Sequence, residues 1–338
     1  MSFKRLDPED FTFGVDSVVA PAWSSNTSSL TSFFTSSIQQ GTNAAQYYAD
    51  VYNINPSLPG NPKIQFSIAY GDIDGSGSLW YNPLNPGSSP SRTVCGQFVN
   101  LLLGEDENAF FPFGGFNTKI FFAIVINRSN FKQSIMPGSL QIRGLAGPNI
   151  YITDNSLITP TVDYTPAGRR YTLGSGSFGD GVTPASLEGR GVYGYLYSDI
   201  GIIILNPLAF DFNIILDPVY PVYQRGNNTN NNNSVRLRRY LTQLTLQSQE
   251  TISSNYIFCR AQNHEFNFST QNNFISSTRN ITGSNNVTLN DFVQTPPTYI
   301  TSVGLYNDNN ELLAVAKLSK PLKKDFTTEA LIRVKLDF

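Results

Sequence analysis

The chain has 338 residues, a net charge of −2, and only 14% charged side chains against 13% aromatic ones. That balance excludes a strongly basic surface of the kind that gathers nucleic acid or an anionic membrane. It also disfavours a long helical bundle, and with 26 glycines and 20 prolines spread along the chain it fits a mainly β protein with many loops.

The N-terminal stretch carries acids early and has no continuous apolar run, so it does not have the pattern of a secretory signal. The longest apolar runs, 120–126 and 200–205, have the length of buried strands rather than of membrane spans. The expectation is a soluble chain made in the cytoplasm. Cys95 and Cys259 lie far apart and form no disulfide framework, so free thiols are expected. Asn-X-Ser/Thr triplets begin at Asn26, Asn127, Asn227, Asn267, Asn280 and Asn286 among others, and without a signal chance explains them better than glycosylation.

Residues 28–51 place Leu30, Phe33, Phe34, Ile38, Ala44 and Tyr48 at partly helical spacing, interrupted by Gly41, which predicts a helix. The serines around them are weak helix formers, so the alternative is an extended arm laid on a neighbouring subunit. From 63 to 70 the chain alternates cleanly and reads as a half-buried strand, running into the loop Gly71-Asp72-Ile73-Asp74-Gly75-Ser76-Gly77-Ser78. That loop has the carboxylates and glycines of a calcium site. It lacks the third ligand position and closing Glu of an EF-hand, which favours a plain turn.

Residues 92–103 fit a helix or a strand, and the acidic Glu105-Asp106-Glu107 and the aromatic Phe110-Phe111-Pro112-Phe113 follow. This aromatic loop is either an interaction patch or a core plug. The run 119–126 is that of a central strand covered on both faces. Short strands at 139–143, 150–153, 170–173, 192–197 and 201–205, spaced by turn residues, complete the pattern of an antiparallel β-sandwich or barrel.

An Asn-rich polar tract, 226–234, marks a loop or linker. Beyond it, 235–252 carries Arg236, Arg238 and Arg239 with Leu237, Leu241 and Leu244 on a rough helical stripe. A solvated or subunit-facing helix fits better than a nucleic-acid-binding one, because the surrounding chain is not basic. The domain reading is therefore an N-terminal arm or helical segment (1–60), a central β-domain (61–225), the Asn-rich linker and a C-terminal β-rich assembly domain (235–338).

The last forty residues hold three strand-like runs, 299–306, 311–317 and 331–338, joined by the turn Asn307-Asp308-Asn309-Asn310 and a basic segment with a proline. In the last run Ile332, Val334, Leu336 and Phe338 alternate with Arg333, Lys335 and Asp337, which gives one apolar and one wet face. Terminal residues fray unless a neighbour holds them, so a strand at this point suggests a docked sheet. Val303, Leu305, Tyr306, Leu312, Leu313, Val315, Ile332, Val334, Leu336 and Phe338 are the expected core-plus-interface residues.

Catalytic constellations are weak by comparison. The sole histidine, His264, follows a strand-like segment containing Cys259, and a structural role suits it better than pairing with a thiol nucleophile. No Gly-X-Ser-X-Gly elbow and no phosphate-cradling glycine motif occurs. Neither a metal nor a cofactor is expected. A hydrolase would have to draw on Glu105 or Asp106, and a carbohydrate- or receptor-binding protein on Trp80 and Tyr81 as stacking platforms.

Several segments carry a family likeness: Gln65-Phe66-Ser67-Ile68-Ala69-Tyr70-Gly71, Ile126-Asn127-Arg128-Ser129-Asn130-Phe131-Lys132, Phe266-Asn267-Phe268-Ser269, and, most specifically, Val303-Gly304-Leu305-Tyr306-Asn307-Asp308 with Glu311-Leu312-Leu313-Ala314-Val315-Ala316-Lys317. These resemble virion structural proteins of contractile-tailed, T4-like bacteriophages of the cyanophage type, over most of 62–338 and with no match in 1–60. The resemblance implies a non-enzymatic tail or baseplate subunit of the virion. It implies several copies in a symmetric assembly and other tail or baseplate proteins as partners, and the family offers no catalytic residues to carry over.

Overall fold

The computed structural model describes residues 3–34, 48–78, 81–104, 110–145, 150–158, 162–177, 181–183, 191–209, 223–226, 233–267, 275–276, 287–288 and 297–337. Trp80, Glu105, Asp106, Glu107, Phe338 and most of the Asn-rich tract lie outside these described residues.

The chain is mainly β, and its strand pairings are antiparallel. It begins with β1 (Phe11–Pro21), β2 (Ser29–Leu30), β3 (Tyr48–Tyr52) and β4 (Ile64–Asp72). Helix α1 (Pro90–Leu103) precedes β5 (Phe111–Phe113), β6 (Phe116–Thr118), β7 (Ile120–Ile126), β8 (Ser134–Ile135) and β9 (Gln141–Arg143). Next come β10 (Ile150–Asp154), β11 (Asp163–Thr165), β12 (Gly168–Ser177), β13 (Gly181–Thr183), β14 (Gly194–Tyr197) and β15 (Ile202–Leu205). Helix α2 (Asn233–Tyr240) leads into β16 (Gln243–Thr245) and the long β17 (Gln247–Ala261). The remaining strands are β18 (Ile275–Ser276), β19 (Val287–Thr288), β20 (Thr298–Tyr306), β21 (Leu312–Lys324) and β22 (Ala330–Asp337).

Two compact units result. One is Ser17–Glu250; the other combines Met1–Asp16 with Thr251–Phe338. The division falls within β1 and within β17, not in the Asn-rich tract.

The unit Ser17–Glu250 is built on a sheet in the order β2-β16-β9-β10-β12-β14-β15-β7-β4-β3, with β11 and β13 added at β12. Period-two alternation explains why its central strands are apolar throughout. In β7, Ile120, Phe122, Ile124 and Ile126 enter a core with Trp23, Phe66 and Leu244. The intervening Phe121 and Ala123 enter a second core with Phe98, Val99 and Leu102 of α1. β15 divides the same way, Ile203 and Leu205 into the first core and Ile202 and Ile204 into the second.

The segment 92–103, which fits either helix or strand by sequence, is helical. Pro90 occupies its first turn, and Gly104 ends it at φ 67°, its N–H donating to the Asn100 carbonyl at 3.0 Å. Val94, Cys95, Phe98, Val99 and Leu102 are buried, the spacing of one helix face.

The helix expected over 28–51 is not present in its described parts. Leu30 pairs with Leu244 of β16, Phe34 bridges Tyr52, and Tyr48–Tyr52 is a strand on β4; residues 35–47 of the expected helix lie outside the described residues. Serine-rich sequence with β-branched and aromatic neighbours gives strand pairing the advantage there. The helix expected over 235–252 is confined to α2, and Leu244, on the helical stripe by spacing, belongs to β16 between Ile142 and Leu30. Tertiary pairing overrides that local period. Among the described residues no helix is long and apolar enough to cross a membrane.

Candidate assembly surface

The C-terminal forty residues do not form one three-stranded sheet. β20 and β21 make a two-stranded hairpin, and β22 instead pairs with β17 from Ser254↔Asp337 to Ala261↔Ala330, in a sheet that also contains β1. Nor does β21 stop at Lys317: it continues to Lys324 through Pro321. The ladder breaks there, with Lys317 opposite Ser302 and Leu322 opposite Ile300, so residues 318–321 bulge against Thr301. Proline has no N–H to donate, and a bulge is where a strand tolerates it.

The hairpin turn is built by its asparagines. Asn307 Oδ1 accepts from the N–H groups of Asn309 at 3.0 Å and Glu311 at 2.8 Å, and Asn310 adopts φ 64°. Gly304 leaves room for its neighbours: a Cβ there would lie 2.9 Å from the Tyr306 ring and 3.3 Å from Leu312. Tyr306 also meets Phe3 edge-on, with ring centroids 4.9 Å apart.

At the foot of the hairpin Lys324 is fully buried. Its ammonium donates to Asn267 Oδ1 at 2.7 Å and to the Asn263 carbonyl at 3.2 Å, while Thr298 Oγ1 donates to the Phe266 carbonyl at 3.2 Å. Burial pulls the Lys324 pKa down, opposed by the more distant Glu265, Asp325 and Glu329. The hairpin is thereby fixed to the turn that follows β17.

The residues expected at the interface divide between the two sheets. Val303 and Leu305 are half-buried on β20, whereas Tyr306, Leu312, Leu313 and Val315 are exposed, Leu313 to 68%. On β22 Val334 is buried, with Ile332 and Leu336 half-buried beside it and Arg333, Lys335 and Asp337 turned outward. Phe338 is outside the described residues.

The outward face of that sheet is polar. Lys335 Nζ lies 2.8 Å from Asp16 Oδ2 and 3.0 Å from Asp337 Oδ1; Ser254 Oγ donates to Asp337 at 2.7 Å, and Tyr256 donates to Asp16 at 3.2 Å. The Lys335 hydrogen bond holds Asp16 below the usual carboxylate range, and Asp16 in turn raises Lys335.

The opposite face contains three residues the sequence reading missed. Phe11, Phe13 and Val15 of β1 alternate with Thr12, Gly14 and Asp16, so they share the face of Ile257, Cys259, Ile332 and Val334. Phe13 is 78% exposed and Val15 70%. The strict alternation of 11–16 is the signal that could have found them.

Other sequence candidates resolve separately. The Gly71–Ser78 loop is organised by Arg225, whose guanidinium donates to both Asp72 oxygens at 2.9 and 3.1 Å and to Asp74 at 2.7 Å; Lys119 adds 3.0 Å to Asp74. A guanidinium thus stands between the two carboxylates that suggested calcium. Burial pushes the Asp72 carboxyl up, against the pull of Arg225; Asp74, although burial acts on it too, is held down by hydrogen bonds from Arg225 and Lys119.

His264 is exposed in the turn after β17, its Nδ1 3.3 Å from Asn263 Oδ1. Both cysteines are free: Cys95 is buried in α1, its thiol pushed up to about 12 by burial, and Cys259 is half-buried. Within Ser17–Glu250, Leu102, Leu103, Phe110, Pro112, Tyr164 and Arg170 help line an open groove of about 540 Å³. Its Arg170 is paired with Asp163 and stacked 4.5 Å over Tyr195. Tyr81, proposed as a stacking platform, is half-buried.

The class these features define is a mainly β protein with an exposed apolar hairpin and sheet face. No protein-family model matches the chain, and neither the curated proteins nor the solved structures contain a match.

Proposed function

We propose that this chain is a non-enzymatic structural subunit that works by assembling in several copies through the unit made of Met1–Asp16 and Thr251–Phe338. The observation that carries the reading is that unit's distribution of apolar residues. Its described residues contribute nothing to either hydrophobic core, and their buried apolar side chains are Ile257, Ala261, Ala330 and Val334. Meanwhile Phe13, Val15, Tyr299, Leu313, Val315 and Leu331 are each more than half exposed. An isolated two-stranded hairpin is marginal in water, and contiguous exposed apolar surface marks an interaction site. The resemblance of 62–338 to contractile-tailed phage proteins makes a tail or baseplate the assembly we propose, with other tail or baseplate proteins as neighbours and the virion as its location.

Sedimentation of the purified full chain over a concentration series tests this, together with labelling of the chain in intact particles. A concentration-dependent oligomer and label at the tail support the reading. A chain that stays monomeric throughout and is absent from particles overturns it.

The groove favours a second reading, receptor or carbohydrate binding, since Tyr164 beside it is 74% exposed. Saturable binding of host-surface glycans, lost on Tyr164→Ala, would establish that reading.

A further inference from the structure

The two edges of the β20–β21 hairpin differ in chemistry, and the difference says which one is meant to be met. Among the described residues neither strand pairs with anything but the other, so each presents an outer row of backbone N–H and C=O groups. Such edges are ordinarily blunted by lysines, prolines and bulges. All three devices occur on β21: Lys317, Lys320, Lys323, Pro321 and the bulge of residues 318–321. None of them occurs on β20, whose sequence Thr298-Tyr299-Ile300-Thr301-Ser302-Val303-Gly304-Leu305-Tyr306 carries no charge and no proline.

We infer that the outer edge of β20 is the assembly contact, and that its occupant is β20 of a second copy of this chain, paired antiparallel about a two-fold axis at Ser302. The inference rests on the multi-copy reading above and names the partner of that same surface. Charge selects this pairing over its rivals. Two β21 edges brought together would set one lysine row against another, and a β20 edge on β21 would meet the proline and the bulge, whereas two β20 edges bring no charge together. The pairing is isologous: each copy gives and receives the same nine-residue strand, with Ser302 at its midpoint. It extends two two-stranded ribbons into one four-stranded sheet, past the three strands at which a sheet with an apolar face becomes independently stable. The exposed Tyr299 and Tyr306 at the strand ends come opposite each other's neighbours across the new junction.

The experiment uses the full chain in a Cys259→Ser background, so that the half-buried native thiol does not compete. Ser302→Cys is compared with Ser319→Cys, which places the thiol in the β21 bulge, under mild oxidation with the linked peptide mapped by mass spectrometry. Directly opposed residues of an antiparallel pair lie within disulfide reach. The expected result is a covalent dimer through Cys at 302 and none through Cys at 319. In parallel, Thr301→Lys gives β20 the kind of guard β21 already has, at a position with no Cα partner in the hairpin. It should weaken self-association about tenfold or more while leaving unchanged the circular dichroism spectrum and the unfolding midpoint measured at dilutions where both chains are monomeric. A chain that oligomerises without the 302 link and is indifferent to Thr301→Lys overturns the β20 pairing and leaves the assembly reading standing. Linking through 319 instead also overturns the pairing, and a chain monomeric at every concentration overturns both.

Discussion

Phe121 and Phe122 are neighbours in β7 and both are fully buried; Leu312 and Leu313 are neighbours in β21 and both are more than half exposed. Successive strand residues point to opposite faces, so Phe121 and Phe122 are both buried because their strand is covered on both sides, whereas Leu313 is an unpaired bulge residue between the rungs Leu312↔Tyr306 and Ala314↔Leu305. In Ser17–Glu250 the sheet is covered, by α1 on one face and by Trp23 and the residues packed with it on the other. Within the described part of the hairpin no second layer covers β21. Adjacent apolar residues thus lie in a completed core in one unit and on an exposed surface in the other.

The sharpest way to break this contrast is to cut into the covered strand. Phe122→Ala should cost about 3–5 kcal/mol, because it removes a ring packed 5.3 Å from Tyr70 inside the first core. Urea denaturation of the full chain measures it, and an unchanged midpoint would remove the basis for treating that unit as the self-sufficient one. Removing residues 335–338 should have the next largest effect. It deletes the rungs Lys335↔Tyr256, Leu336↔Asn255 and Asp337↔Ser254, roughly 2–3 kcal/mol of backbone hydrogen bonding, and loosens or disassembles the unit that holds them. Amide exchange at Tyr256 and at Phe122 distinguishes the two units: the first should lose protection and the second keep it. A truncated chain that assembles as well as the intact one would show that β22 is not docked where it matters.

Leu313→Ser and Val315→Ser reverse the expectation. Folding stability should change by no more than about 0.5 kcal/mol, since both side chains face water in the single chain, while self-association measured by sedimentation should weaken clearly. Loss of folding instead would mean that these side chains are core. The smallest effect concerns Asp325 at the foot of the hairpin. Its carboxylate is held at about 2 by hydrogen bonds from Thr327, side chain and backbone, and from Thr328. A depressed folded pKa gives stability that is present above the ordinary value of 3.8 and lost as the pH falls through about 2. An NMR pH titration should place that midpoint near 2 for the full chain and near the ordinary value for Thr327→Ala with Thr328→Ala.

What the sequence revealed follows the range of the interactions involved. The apolar run at 119–126 and the alternation at the C-terminus are local patterns, and both were legible: β7 is covered on two faces, and β22 turns Val334 in and Arg333 and Lys335 out. The partners of those strands were not legible, because β22 reaches back to β17 rather than to the hairpin next to it. Arg225 was missed for the same reason: nothing local to Asp72 and Asp74 signals a guanidinium contributed from far along the chain. Leu244 shows the limit from the other side, being at helical spacing from Leu237 and Leu241 yet held in a strand by Ile142 and Leu30. Of the proposed surface, the hairpin residues were legible as apolar strand runs, while Phe11, Phe13 and Val15 lie in a short alternating stretch, 11–16, flanked by acids.

The bulge at residues 318–321 has a consequence for growth. A ribbon with two receptive sides is the repeating unit of a fibre, since every addition exposes a fresh template. With one side closed by lysines, a proline and four unpaired residues, the pairing of β20 edges proposed above would stop at the first partner. The irregularity that makes β21 a poor strand thus acts as a chain terminator, and it sets a finite size on whatever the hairpin builds.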